Sequence, residues 1–417
     1  MTQGIQNIFS RQGIGNLLFS LLIWVIILDP TNSVLHIKDI AFLMLAGYCI
    51  ITYKPDREYF IHLILLIAPI TISYIIAEMQ QSVVDYDILQ ARYKSLVPLI
   101  LLLWIRHFDV VRLMIIPTCA GALFIVVLYA FACSSELVEY AMYLYFKEHL
   151  EMVMMSKRYI LGFEIFGMYL KSFIDLIVGL FVIYYRTFNS TGKMKRIGYI
   201  LLFVLFTVAF FMSGTRSTML LPFFMLGVVF FDRITKTRRL KYFLYPALAI
   251  FAIAFVMLVL MLASEQGEKS NTIKFAHLTS YAVLFTDNPQ YLLWGQGPGT
   301  WFYSSGFGAM TDETEWTYLE LLRNYGLLCL PMLYVYVLPL FRLWPHIRTN
   351  NFTFGIFCTY LCYLLIAGTN PLLMSSTGII MVLMAYSYTE VVKQSSCLPD
   401  KKTSPDTFTS CQCIRIY

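Results

Sequence analysis

SEQGEKSNTIKFAHLTSYAVLFTDNPQYLLWGQGPGTWFYSSGFGAMTDETEWTYLELLR, from Ser264 to Arg323, is the longest polar interruption in a very apolar chain. It carries Gly295, Gly297 and Gly299 around Pro298, a run of aromatics, and an acidic knot at Asp312, Glu313 and Glu315. Glu320 and Arg323 follow in the opening turns of the next apolar helix. A loop this long in a compact protein is either disordered or functional. Aromatics and spaced glycines argue against disorder, so the stretch reads as the active loop.

The residues around it are those of a membrane protein. Of 417 residues, 59% are hydrophobic and 13% charged, against roughly a quarter charged in soluble domains. Apolar runs near helix-spanning length fall near 14–28, 40–53, 60–77, 95–105, 110–132, 172–185, 197–212, 217–231, 242–263, 318–341, 352–367 and 378–392. The expected fold is therefore all-α and polytopic, with about twelve spans. The fourth run is short enough to be re-entrant. The first lacks a small-residue cleavage site and reads as an uncleaved span.

Basic residues set the orientation. With the N-terminus cytoplasmic, the inner connections hold twenty of the 31 lysines and arginines, concentrated in RTFNSTGKMKR and DRITKTRRLK. Both termini are then inside, and two large outer loops remain, 133–171 and 264–317. In the first, Tyr, Phe, Leu and Met recur at three- and four-residue spacing, which predicts an amphipathic helix on the membrane surface. Residues 1–394 form the membrane domain, and 395–417 a polar tail with the composition of disorder. The nine cysteines make no disulfide framework and have no histidine spacing suited to zinc. No nucleotide-binding motif or HExxH is present, and nothing points to nucleic acid.

Arg216 is the sharpest single signal. SGTRS, Ser213 to Ser217, stands alone between two apolar runs. A guanidinium there needs an anion or a partner, and arginine suits bidentate phosphate binding. The plain alternative is a side chain reaching lipid headgroups. Glu315 can take a proton from a hydroxyl, with Asp312 and Glu313 beside it. Alternatively these acids complement the helix dipole, with Thr314 or Thr317 as the N-cap. Arg158 beside Lys157, and Arg92 in the smaller outer segment 78–94, read more simply as interfacial charges. Lys274 and His277, three apart, share a helical face. Arg323 either pairs with Glu320 or helps to hold an anion. A metal site from Asp312, Glu313 and Glu315 lacks further ligands. The three glycines are better explained by tight turning than by a phosphate cradle.

SGTRS between two spans, WGQGPGTWF within the late loop, and ETEWTYLELLRNYGLLCLPMLYV leading into the next span together resemble the O-antigen polymerase and O-antigen ligase superfamily of bacterial envelope proteins. These segments cover 37 of the 417 residues. The resemblance implies an inner-membrane glycosyltransferase of the C-type fold. It would act on undecaprenyl-diphosphate-linked sugars at the outer face, without a nucleotide sugar, cofactor or required metal. Arg216 carries over as the binder of the lipid diphosphate. Glu315 stands where ligases have a histidine, which favours a polymerase. Lys274 or His277 stands where many members open the loop with an arginine, and Arg158 or Arg323 could substitute for that contact. Membrane lipids, a chain-length regulator and a flippase of the same pathway are the implied partners. Ligation to lipid A core is the same-class alternative. A polysaccharide flippase or other transporter is the different-class one, and would be expected to show internal repeats and charges buried mid-span.

Overall fold

The computed structural model describes residues 10–31, 36–150, 153–160, 163–236, 269–348 and 350–396. The span expected at 242–263, the first residues of the long loop and the tail beyond 396 lie outside these. Among the described residues six helical stretches are long and apolar enough to cross a membrane: Arg11–Leu28, Arg57–Met79, Tyr86–His107, Val110–Ala132, Lys193–Met212 and Thr317–His346. Thr218–Phe230 and Asn351–Ala367 are shorter apolar helices. The protein is mostly helical and built to be embedded in a membrane.

In chain order the helices are α1 (Arg11–Leu28), α2 (Ile37–Thr52), α3 (Arg57–Met79), α4 (Tyr86–Leu96, continued as a 3₁₀ helix to His107) and α5 (Val110–Ala132). A short α6 (Glu136–Tyr145) precedes the hairpin β1 (Val153–Ile160) and β2 (Phe163–Leu170). Then come α7 (Phe173–Asn189), α8 (Lys193–Met212), α9 (Arg216–Lys236), α10 (Lys269–Asp287) and the single turn α11 (Tyr291–Trp294). A second hairpin, β3 (Phe302–Ser304) and β4 (Ala309–Thr311), leads to α12 (Thr317–Tyr325), α13 (Cys329–Leu343), α14 (Asn351–Ala367) and α15 (Gly378–Ser396).

Two expectations need correcting. The fourth run is not short, because helix continues from Tyr86 to His107, as an α-helix to Leu96 and a 3₁₀ helix beyond. The outer loop 133–171 is not one amphipathic helix: its second half is the β1–β2 hairpin, in register from Val153↔Leu170 to Ile160↔Phe163. Large apolar residues are so dense there that they satisfy a period of two as well as one of 3.6. Val153 and Met155 are buried while Met154 is exposed. With β3–β4 this makes two hairpins in a chain expected to be all-α.

Burial is concentrated on α7 and the first half of α15. From Phe173 to Tyr184 every residue of α7 is buried, as is Ile379–Tyr386 of α15. A helix that is apolar on all faces belongs in the centre of a bundle, and α5, α8, α9, α14 and α15 all pack on α7.

The connections gather at two poles. At one, Asp56 N–H donates to the Leu103 carbonyl at 2.7 Å, Arg106 pairs with Asp56 at 3.3 Å, Arg342 pairs with Glu58, and Tyr59 O–H donates to Glu390 at 2.7 Å. At the other, Asp85 N–H donates to the Gly299 carbonyl at 2.8 Å, Arg92 meets Glu313 at 3.0 Å, and Thr317 donates to the Asn370 carbonyl at 2.7 Å. The second is the loop pole.

Candidate functional site

The glycine segment is where the long loop docks on the bundle. Gly297 has φ +106°, and a side chain on it would strike Ala77 of α3. Gly299 has φ +83°, and its Cβ would lie 2.6 Å from the Asp85 carbonyl. Both positions need the left-handed region and a bare backbone, which only glycine supplies at low cost. Ser73 of α3 donates to the Trp294 carbonyl at 3.1 Å beside them. Close approach to α3, more than turning around Pro298, accounts for these glycines.

Arg323 is the peg of the loop. Its side chain is 1% exposed and bonds in four directions. Nε donates to Glu320 Oε2 at 2.9 Å. Nη1 donates to Gln296 Oε1 at 2.9 Å and the Thr300 carbonyl at 3.0 Å. Nη2 donates to the Asp312 carbonyl at 2.6 Å. Thr300 and Asp312 flank the β3–β4 hairpin, so one guanidinium clamps both stems, and its carbon sits over the Phe302 ring, 4.6 Å from the centroid. Glu320 is equally enclosed: Oε1 accepts from Tyr281 O–H and from Thr314 N–H at 2.9 Å. Burial and the Glu320 carboxylate together push the Tyr281 phenol well above its ordinary pKa. Of the two roles open to Arg323, the pairing with Glu320 is the one observed.

The acids of the knot part company. Glu313 pairs with Arg92 of α4 at 3.0 Å and fastens the loop to that helix. Asp312 contributes its carbonyl to Arg323. Neither Thr314 nor Thr317 caps α12: the N-cap is Trp316 without a side-chain bond. Thr314 instead turns to Tyr281 O–H at 2.6 Å, and Thr317 to Asn370.

Glu315 stays at the surface, 45% exposed, with Oε2 held 2.9 Å from Lys274 Nζ. The Trp316 indole N–H donates to the Lys274 carbonyl at 3.0 Å, so α10 and the start of α12 are stitched side by side. One α10 turn further on, His277 is fully buried. Its Nδ1 lies 2.7 Å from Ser304 Oγ, and Phe307 packs edge-on at 4.5 Å. Nε2 has no hydrogen-bond partner. Desolvation lowers the His277 pKa, opposed by the carboxylates of Glu315 and Glu320; the ring is neutral at pH 7. Lys274, His277 and Glu315 thus form one cluster on the rim of the loop.

Arg216 and Arg158 are placed by their backbones. Arg216 opens α9; Arg158 lies on β1 opposite Ile165. The hairpin meets the SGTRS turn directly, since a Cβ on Gly167 would lie 2.8 Å from Gly214 Cα. Gly167 pairs with Ser156, two residues from Arg158. Near the end of α14, Tyr318 donates to the Leu364 carbonyl at 2.7 Å.

Sequence reasoning missed Tyr281 and gave Arg92 a plainer role than it has. The partner of Arg92 is an acid 221 positions away, which no local spacing reveals. Among the described residues no group of three or more His, Cys, Asp or Glu is arranged to hold a metal ion. No protein-family model matches this chain, and neither does any curated protein or solved structure.

Proposed function

We propose that this chain polymerises lipid-diphosphate-linked oligosaccharide repeat units into a surface polysaccharide at the outer face of a bacterial inner membrane. In this reading it has about twelve spans in a C-type glycosyltransferase arrangement, and the loop pole faces outward. The observation that supports it most is the Lys274–Glu315 pair, an exposed carboxylate held at 2.9 Å on a loop that a buried guanidinium makes rigid. A pre-organised base on a fixed support is what hydroxyl attack requires.

The hydroxyl of one repeat attacks the anomeric carbon of the growing chain. Its proton passes to Glu315, and the bond to the lipid diphosphate breaks with its electron pair staying on the phosphate. Arg216, with Arg158 on the adjoining hairpin, balances that charge electrostatically; Lys274 keeps Glu315 in place.

Glu315→Gln tests this. It keeps shape but removes the proton acceptor, and the polysaccharide ladder collapses to single repeats, a loss of ~10²–10⁴-fold. Glu313→Gln, which loosens only the Arg92 contact, is milder. Equal small losses from both would place the base elsewhere, with His277 the first residue to test. Full-length chains left unattached in a deletion strain would mark a ligase instead.

Transport of a lipid-linked sugar is a second reading with one observation in its favour. Asp175, a carboxylate inside the bundle, is 0% exposed, and charges buried in spans mark transport pathways.

A further inference from the structure

Asp175 occupies the first turn of α7, the most enclosed helix of the bundle. The sequence there, Ser172-Phe173-Ile174-Asp175, fits a capping box, in which the carboxylate accepts from the backbone N–H of the N-cap residue. The structure does not make that box. Ser172 forms no cap bond, and its hydroxyl donates to the Ile27 carbonyl of α1 at 2.6 Å. Asp175 is turned inward: both carboxyl oxygens are buried without a hydrogen-bond partner.

Two phenols lie within electrostatic reach, Tyr169 of β2 and Tyr363 of α14. The Tyr363 hydroxyl is likewise buried and unpartnered. Among the described residues, no lysine, arginine or histidine from the helices packed on α7 acts on Asp175. An ionised carboxylate here would have lost its water and gained no counter-charge, the most costly condition for a buried group. A neutral side chain or an apolar one would pack at no such cost. Acids inside membrane bundles mark proton and ion paths.

We infer that Asp175 is a proton-binding site, loaded in this state and unloaded during the protein's working cycle. The end of the β1–β2 hairpin lies beside it and meets the SGTRS turn backbone against backbone at Gly167 and Gly214. Moving the hairpin off the turn takes Tyr169 away from Asp175 and admits water, and the carboxyl then ionises. Glycosyl transfer and transport both accommodate this step, so the inference does not rest on the first reading.

The test is infrared spectroscopy of the whole protein in membrane vesicles, with polysaccharide formation measured in parallel. At neutral pH the carbonyl stretch of a protonated carboxyl is expected in the wild type and absent in Asp175→Asn. That variant is permanently neutral. It is expected to accumulate normally and to lose product by about 100-fold or more. A missing band in the wild type overturns the inference, and so does normal product from Asp175→Asn. Should Asp175→Asn fail to accumulate, Asp175→Glu and Tyr363→Phe serve instead, since each shifts the alkaline limb of the pH–activity profile. An unmoved limb in both overturns the inference. The infrared result is blind to the product, so glycosyl transfer can fail while the proton site stands, and the reverse.

Discussion

Arg323→Ala removes a guanidinium with 1% exposure and bonds to Glu320, Gln296, Thr300 and Asp312. Breaking a buried ion pair by deleting one partner costs ~3–5 kcal/mol, because the other charge is left uncompensated. Each carbonyl orphaned at Thr300 and Asp312 adds ~1–3 kcal/mol if it stays dry. The full sum is not reached, since the β3–β4 hairpin can open and rehydrate before the spans move. Two strands of three residues have almost no stability of their own. A net loss near 3 kcal/mol then raises the open population of residues 300–312 about 100-fold. Amide hydrogen exchange reads this directly, with α7 as the internal reference. Hairpin amides are expected to exchange about 100-fold faster while Phe173–Tyr184 stays unchanged. Arg323→Lys rescues little, because an ammonium cannot bridge both stems. Wild-type exchange in the hairpin, or equal acceleration in α7, would refute the view that one side chain clamps the loop independently of the bundle.

His277 sets a pH dependence with a definite sign. Burial lowers its pKa below the ~6.5 of the unfolded chain, so on acidification the unfolded state takes up the proton first. The loop is fully stable above that value and weakens as pH falls through it. Thermal unfolding near pH 7.5 and pH 5.5 shows the loss, and His277→Gln removes the slope; a slope that persists would assign it to other groups. Arg216→Ala is expected to abolish chain growth while the protein still reaches the membrane, and Arg216→Lys to do nearly as badly because bidentate geometry is lost. Near-normal ladders from Arg216→Ala would remove the diphosphate-binding role.

The elements that sequence reasoning placed well are those whose own residues decide their conformation. Beyond Arg112, Val110–Ala132 is apolar almost throughout and is satisfied as a helix in a membrane, where every backbone group must be satisfied internally. The fourth span looked short because its polar half, YDILQARYKSL, carries Arg92 and Lys94. These charges reach out at the loop pole, and the helix is longer than its apolar run. The β1–β2 hairpin was hidden for the opposite reason, an excess of apolar residues that fits two periods at once.

Site residues were legible where the partners share a turn and obscure where they do not. Glu320 and Arg323, three apart, offer a pair on spacing, one of the two roles open to Arg323, and it is the one observed. Lys274 and Glu315 were each singled out without any sign that they touch, because their contact needs α10 and α12 to lie side by side. The same distance effect sorts the acidic knot. Local logic gives Asp312, Glu313 and Glu315 one shared task, yet tertiary contacts send Glu313 to Arg92, the Asp312 carbonyl to Arg323 and Glu315 to Lys274. Asp175 is the extreme case. Its local pattern names a complete and ordinary role, a carboxylate in a capping box, yet the box is not made: the Ser172 hydroxyl turns to α1 and both Asp175 oxygens stay without a partner. A motif in sequence is an offer of hydrogen bonds, and the bundle accepts or refuses it. Where it refuses and the charged residue remains, as at Asp175, a reason beyond local structure is required, and a proton supplies it.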